Sequence, residues 1–360
     1  MNRIRIVIIA DSQTNIRLIA DAVGKTNDIE ITETAPGLHS GIEIVRSQKP
    51  DIILVQDIPG IVEFTSAIML EYPEPGVIIM TNSNNPVSAN RVVAALACGA
   101  FDFVAIDKSE TLCSLILSKI RCCSIKRYSH IARMGDLDKK ADKPHATDVT
   151  SGVIPDMLTK KTPSNTVKPK FDAVLIGVST GGPVALMKLL PDFPASFPVP
   201  IIIVLHMPKE FTGAMAAALD KKTNIRVKEA EDNEEPVKGT AYLAPGGIHC
   251  MLYNETNGKV RLRIKDGPAE NGCKPAVDAL FRSAAPILGD KIAAIVLTGM
   301  GVDGTKGAKE IKQRGGVMLA QDENSSTVWG MPGSIVRAGL ADEVLPLDRI
   351  AARLCELIGV

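Results

Sequence analysis

Gly177-Val178-Ser179-Thr180-Gly181-Gly182-Pro183 sets a serine in a Gly-x-Ser-x-Gly frame, directly after the apolar run DAVLIGV. A serine where a strand turns into a helix, with glycines on either side to let the chain reverse, suits a nucleophile elbow. Its hydroxyl is then exposed beside backbone amides able to hold a developing oxyanion. Two plainer readings compete. A serine at such a turn commonly caps the helix, and Gly177, Gly181 and Gly182 carry part of a dinucleotide-binding glycine pattern. Against the second, Ser179 stands where close pyrophosphate approach needs glycine, and the next apolar run ends in His206 instead of a ribose-binding carboxylate.

His206 closes the run PIIIVLH at 200–206. Neighbouring parallel strands bring their carboxyl ends within side-chain reach, as a general base for serine requires. A histidine at a strand end is more often structural, and the nearby serine reverses that weighting. The third group should be a carboxylate that orients the imidazole and stabilises its charged form. Asp303 offers one, in the loop of AAIVLTGMGVDG at 293–304. Its plainer reading is a cap for a helix starting near Gly304, or part of a phosphate cradle, although no Gly-Lys-Ser/Thr pattern accompanies it. Asp278 and Asp322 remain alternative orienters, ranked lower because neither directly follows a strong strand. The order Ser, His, Asp departs from that of α/β-hydrolases, which argues against that superfamily but not against a triad.

These residues need a scaffold, and the apolar pattern supplies one. IRIVIIA at 4–10, IEITET, DIILVQ at 51–56, GVIIMT at 76–81 and AFDFVAI at 100–106 alternate with amphipathic stretches, the last from Ser109 to about Ile125. Continuous apolar runs fit strands covered on both faces, so residues 1–126 are expected to form a doubly wound parallel α/β domain of five strands. Residues 127–170 lose periodicity and are rich in Lys, Asp, Thr and Pro, the composition of a flexible linker. A second alternating series spans 171–360: DAVLIGV, PIIIVLH, TAYLAP at 240–245, KIAAIVLTG at 291–299, GGVMLA at 315–320 and ADEVLP at 341–346. Between them, two half-polar runs at 247–264 meet at Asn257-Gly258, a hairpin signal. The expectation is a second doubly wound parallel α/β domain carrying a β-hairpin insertion, with no repeated motif register linking the halves.

The bulk composition agrees with two cores in 360 residues. With 45% hydrophobic residues, 23% charged residues and zero formal net charge, nothing electrostatic points to nucleic acid or membrane binding. The opening apolar run is short for a signal peptide, and no run reaches the roughly 18 apolar residues of a spanning helix, so a cytoplasmic protein without membrane insertion is expected. The 7 cysteines show no Cys-x-x-Cys spacing, which argues against a disulfide framework or a zinc site.

Taken together, LIGVSTGGP, VLHMP, YLAPGGIH, KPAVDALFRSAA, VLTGMGVDGTKG and AQDENSSTVWGMPGS resemble, in order, the blocks of the chemotaxis response-regulator protein-glutamate methylesterases. The resemblance covers nearly the whole chain. It implies a flavodoxin-like receiver followed by an esterase domain, with Ser179 as nucleophile, His206 as base, Asp303 as orienter and the Met300 backbone amide in the oxyanion hole. It further implies hydrolysis of glutamate methyl esters on chemoreceptor cytoplasmic domains, deamidation of specific receptor glutamines, no cofactor for catalysis, and the chemotaxis histidine kinase as a partner.

In one region the sequence departs from that family. Receivers hold Mg²⁺ with an acidic pair after the first strand and use an acceptor Asp at the end of the third, a Ser/Thr after the fourth and a Lys after the fifth. Here the pair is Ala10-Asp11, the acceptor position aligns with Gln56, Thr81 is present, and the lysine position aligns with Ile106. Asp57 and Lys108 are each one or two residues off register, and a one-residue shift on a strand turns a side chain to the other face. The expectation is a pseudo-receiver that takes neither Mg²⁺ nor phosphate in the usual way.

Overall fold

The computed structural model describes residues 3–82, 86–106, 112–125 and 170–360. The stretch read as a linker therefore lies outside the described residues except at its last position, and so does Lys108.

In the N-terminal unit, β1 (Ile4–Ile9), β2 (Ile29–Ala35), β3 (Ile52–Gln56), β4 (Gly76–Thr81) and β5 (Asp102–Ala105) alternate with helices. These are α1 (Gln13–Val23), α2 (Leu38–Gln48), α3 (Ile61–Glu71), α4 (Pro86–Ala97) and α5 (112–125). The five strands are parallel in the order β2-β1-β3-β4-β5. Ile6 to Ile9 and Ile52 to Val55 are fully buried, as strands covered by helices on both faces must be. Ser12 caps α1 by accepting the Asn15 amide.

The C-terminal unit has β6 (Ala173–Val178), α6 (Gly182–Leu189), β7 (Ile201–Leu205), α7 (Lys209–Asp220), β8 (Arg226–Glu229) and β9 (Thr240–Leu243). The chain then forms the hairpin β10 (His249–Asn254) and β11 (Val260–Lys265), followed by α8 (Val277–Leu288) and β12 (Ile292–Val296). It closes with α9 (Thr305–Gln313), β13 (Val317–Gln321), α10 (Met331–Arg337), β14 (Glu343–Leu345) and α11 (Leu347–Ile358). Seven parallel strands run β14-β13-β12-β6-β7-β9-β8. From β6 the chain builds outward through β7, and from β12 it builds the other way, so the order reverses between β6 and β12. Such a switch point opens a crevice beyond the carboxyl ends of the strands.

Two details differ from the sequence reading. β8 was not anticipated: its sequence RVKE is charged because it is an edge strand, where charge protects unpaired backbone. The hairpin exists, but not with a two-residue turn. Glu255 and Lys259 are bridged by a backbone bond, and Gly258 alone takes a left-handed φ of 82°, so the loop is Thr256-Asn257-Gly258 with a glycine bulge.

The units share apolar packing. α4 lies along α7, and the Phe103 and Phe211 rings are 4.6 Å apart, joining one continuous buried cluster. No helix among the described residues is long and apolar enough to cross a membrane.

Candidate active site

Ser179 immediately follows β6, and its amide donates to Thr298 O. α6 is capped by Gly181, in the left-handed region at φ 74°, without any side-chain capping bond. The capping explanation for Ser179 therefore fails. Its hydroxyl has no hydrogen-bond partner among the described residues, as befits a group turned to the crevice. Gly299 is required opposite it: a Cβ there would come within 2.8 Å of the Ser179 Cβ and 2.4 Å of the Met331 sulfur. The loop after β12 thus presses directly on the serine.

His206 follows β7, and its amide donates to Val178 O, the carbonyl just before Ser179, at 3.1 Å. Its side chain is mostly buried, and Nε2 lies 2.8 Å from Asp303 Oδ2. Asp303 does not cap α9, whose cap is Gly304. Instead its carboxylate sits at the N-terminus of α8. Oδ2 accepts the Val277 amide at 2.7 Å, and Oδ1 accepts the amides of Asp278 and Gly304 and the Asn271 side chain. Burial favours protonation of Asp303, but its bonds to His206 and to those amides outweigh burial and hold the carboxyl below the usual range. Burial likewise pushes the His206 imidazole down, whereas hydrogen bonds to Asp303 and Cys273 pull it up further, to about 9. A hydrogen bond closing the Ser179 hydroxyl to the imidazole is absent among the described residues; such bonds are often open before substrate arrives.

Met300 lies on the same loop, 40% exposed at the mouth, and its amide donates to no described acceptor. Ser118 of α5 donates to its thioether, so the N-terminal unit reaches the rim. The alternative orienters stand elsewhere. Asp278 is bound by Asn271 and the Gly307 amide, and Asp322 by Ser325. His249 is a satisfied structural histidine between Pro268 O and the Ala276 amide.

Sequence reasoning missed Asn271 and Cys273. They lie on the turn before α8, just ahead of KPAVDALFRSAA, and the signal was only their nearness to that block.

In the N-terminal unit, Asp11 is exposed, and Gln56 accepts the Ser12 amide at 3.3 Å, occupying the crevice beside it. Asp57 turns away. Its buried carboxylate pairs with Arg91 of α4, with Nε 2.9 Å from Oδ1, and also accepts Ser88 and Thr81.

A five-stranded receiver-like sheet and a seven-stranded parallel sheet, with this polar cluster at the latter's switch point, are the build of a two-unit hydrolase. Residues 174–354 match the family profile described as CheB methylesterase. The chain is 36% identical to protein-glutamate methylesterase/protein-glutamine glutaminase 2 of Methanosarcina mazei over 99% of its own length and 96% of the relative's. It is likewise 36% identical to the Trichodesmium erythraeum protein-glutamate methylesterase/protein-glutamine glutaminase over the full length of both. The Thermotoga maritima CheB methylesterase catalytic domain superposes with a TM-score of 0.51 at 45% identity, covering 52% of this chain and 99% of that one. The chain belongs to the CheB methylesterase family.

Proposed function

We propose that this protein removes methyl esters from glutamates of chemoreceptor cytoplasmic domains by a Ser179-His206-Asp303 triad, and deamidates selected receptor glutamines at the same site. The observation that carries this is the 2.8 Å pairing of His206 with Asp303 one backbone hydrogen bond away from the half-buried Ser179, whose hydroxyl has no partner among the described residues. With Nε2–H donated to Asp303, the other ring nitrogen holds the lone pair. It takes the Ser179 proton as Oγ attacks the ester carbonyl. The tetrahedral oxyanion faces the free Met300 amide, and its collapse breaks the bond to methoxide, which leaves as methanol with the proton returned by His206. Water, deprotonated by His206, then attacks the acyl-enzyme and regenerates Ser179 with release of glutamate. None of these steps calls for a metal or organic cofactor.

The N-terminal unit, residues 1–126, acts in this reading as a pseudo-receiver, tethered through 127–170 to the catalytic unit at 171–360. Asp57 is already neutralised by Arg91, so neither Mg²⁺ nor phosphoryl transfer is part of its function. Contact with the chemotaxis histidine kinase in the cytoplasm would then act by docking. Methanol release from methylated receptor, measured with and without a small phosphodonor, tests both parts. Release that the phosphodonor leaves unchanged is expected; absence of release from wild-type protein overturns the first part, and phosphodonor-dependent release overturns the second.

A further inference from the structure

Cys273 has no part in the chemistry above, yet its sulfur, a ring nitrogen of His206 and a carboxylate oxygen of Asp303 all lie within 4.8 Å of one another. Cysteine spacing argued against a zinc site, because it reads only neighbours along the chain. Here the three donors come from three separate loops: after β7, before α8 and after β12.

One nitrogen, one sulfur and one oxygen with an open side is the kind of donor set found at three-ligand zinc sites. The thiol excludes Mg²⁺ and Ca²⁺, which take oxygen ligands, and selects borderline-soft cations. Bonds of about 2.0 Å to nitrogen and oxygen and about 2.3 Å to sulfur need the donors roughly 3.3–3.6 Å apart. His206 and Asp303, 2.8 Å apart, must therefore part slightly, and the Cys273 sulfur, within 4.8 Å of both, must settle at that spacing. It is placed to do so. The turn carrying it is fixed by the Glu270–Cys273 backbone bonds and by left-handed Asn271 and Gly272, while the half-buried sulfur swings on a single side-chain bond.

We infer that His206, Cys273 and Asp303 form an inhibitory site for a thiophilic divalent cation such as Zn²⁺ or Cd²⁺. Binding displaces the thiol proton, and any proton on the coordinating ring nitrogen, into water. The imidazole is then held by the metal and can no longer exchange protons with Ser179, so hydrolysis stops until the cation is removed. The effect on turnover rests on the function proposed above; the coordination itself does not.

The test uses the full chain, reduced and stripped of metal, titrated with Cd²⁺ alone while thiolate-to-metal charge-transfer absorbance is followed. The expected result is a saturable band in the wild type that Cys273→Ser loses, with Cd²⁺ affinity lower by at least ~10-fold, the scale on which losing even an outer metal partner acts. Cys273→Ala serves the same purpose if the serine variant melts abnormally. Comparing variants with wild type separates this site from the adjacent Cys122 and Cys123. In parallel, Zn²⁺ should block methanol release and a chelator should restore it. A band of equal strength in wild type and both variants, or no band in the wild type, overturns the inference. A Cys273-dependent band on adding Cd²⁺ to a protein that hydrolyses no ester even when stripped of metal supports the cation site and instead refutes the esterase assignment.

Discussion

His206 Nε2 and Asp303 Oδ2 are 2.8 Å apart although β6 runs between the strands that precede them. The imidazole and the carboxylate reach over the end of that middle strand, and Ser179 sits on its tip. This arrangement makes the pH dependence of the reaction predictable. The base must be neutral, and its pKa is raised from 6.5 to about 9. Turnover efficiency, kcat/KM, should therefore rise with pH through neutrality, reach half its maximum near 9 and level off above it. The same shift makes the pair stabilising in full below the unfolded value of 6.5, with that contribution lost as pH rises through 9. A pH–rate profile flat from 6 to 9 would contradict this assignment of the base.

Replacing Ser179 should abolish turnover without harming the fold. Its hydroxyl has no bond to lose, so Ser179→Ala should melt like the wild type while methanol release falls by ~10⁴-fold or more. Retained release would move the nucleophile elsewhere.

Asp303 is different, because four further donors besides His206 converge on it. Asp303→Ala should lose activity and also stability, since buried amides of Val277 and Asp278 are left unpaired at about 1–3 kcal/mol each. Denaturant unfolding would show the second effect even where the first obscures everything else. An unchanged midpoint would mean that water replaces the carboxylate fully.

Asp57 should resist phosphorylation. Mass spectrometry after incubation with Mg²⁺ and acetyl phosphate is expected to find no phosphoryl group there. Asp57→Asn should weaken the pairing with Arg91 and destabilise the N-terminal unit by roughly 1–3 kcal/mol, less than a fully buried pair because the guanidinium is partly exposed. Stoichiometric phosphoryl mass on Asp57 would overturn this.

Phe103→Ala should destabilise the chain by about 3 kcal/mol, the low end for a buried aromatic, because its ring is packed against Phe211 of the other unit. A thermal melt in which only the N-terminal unit softens would show that this contact does not bind the two together.

The sheets were readable because their strands are continuous apolar runs, and the nearness of His206 to Asp303 was readable because strand ends in parallel sheets are where loops converge. β8 was missed since an edge strand is free to be charged. The Asn257-Gly258 pair marked the hairpin but not its loop, because the extra residue Thr256 is accommodated by the Gly258 bulge rather than signalled by composition. Asn271 and Cys273 come from a turn with no periodicity, brought in by the packing of α8 against its neighbours. The direction of Asp57 was open in the sequence because it depends on α4, which contributes Arg91 from outside the strand pattern.

α7 begins three residues after His206, joined by Met207 and Pro208, and α4 lies along it. The backbone that sets the base is therefore continuous with the helix on which the N-terminal unit packs, while Ser118 touches the rim from the same unit.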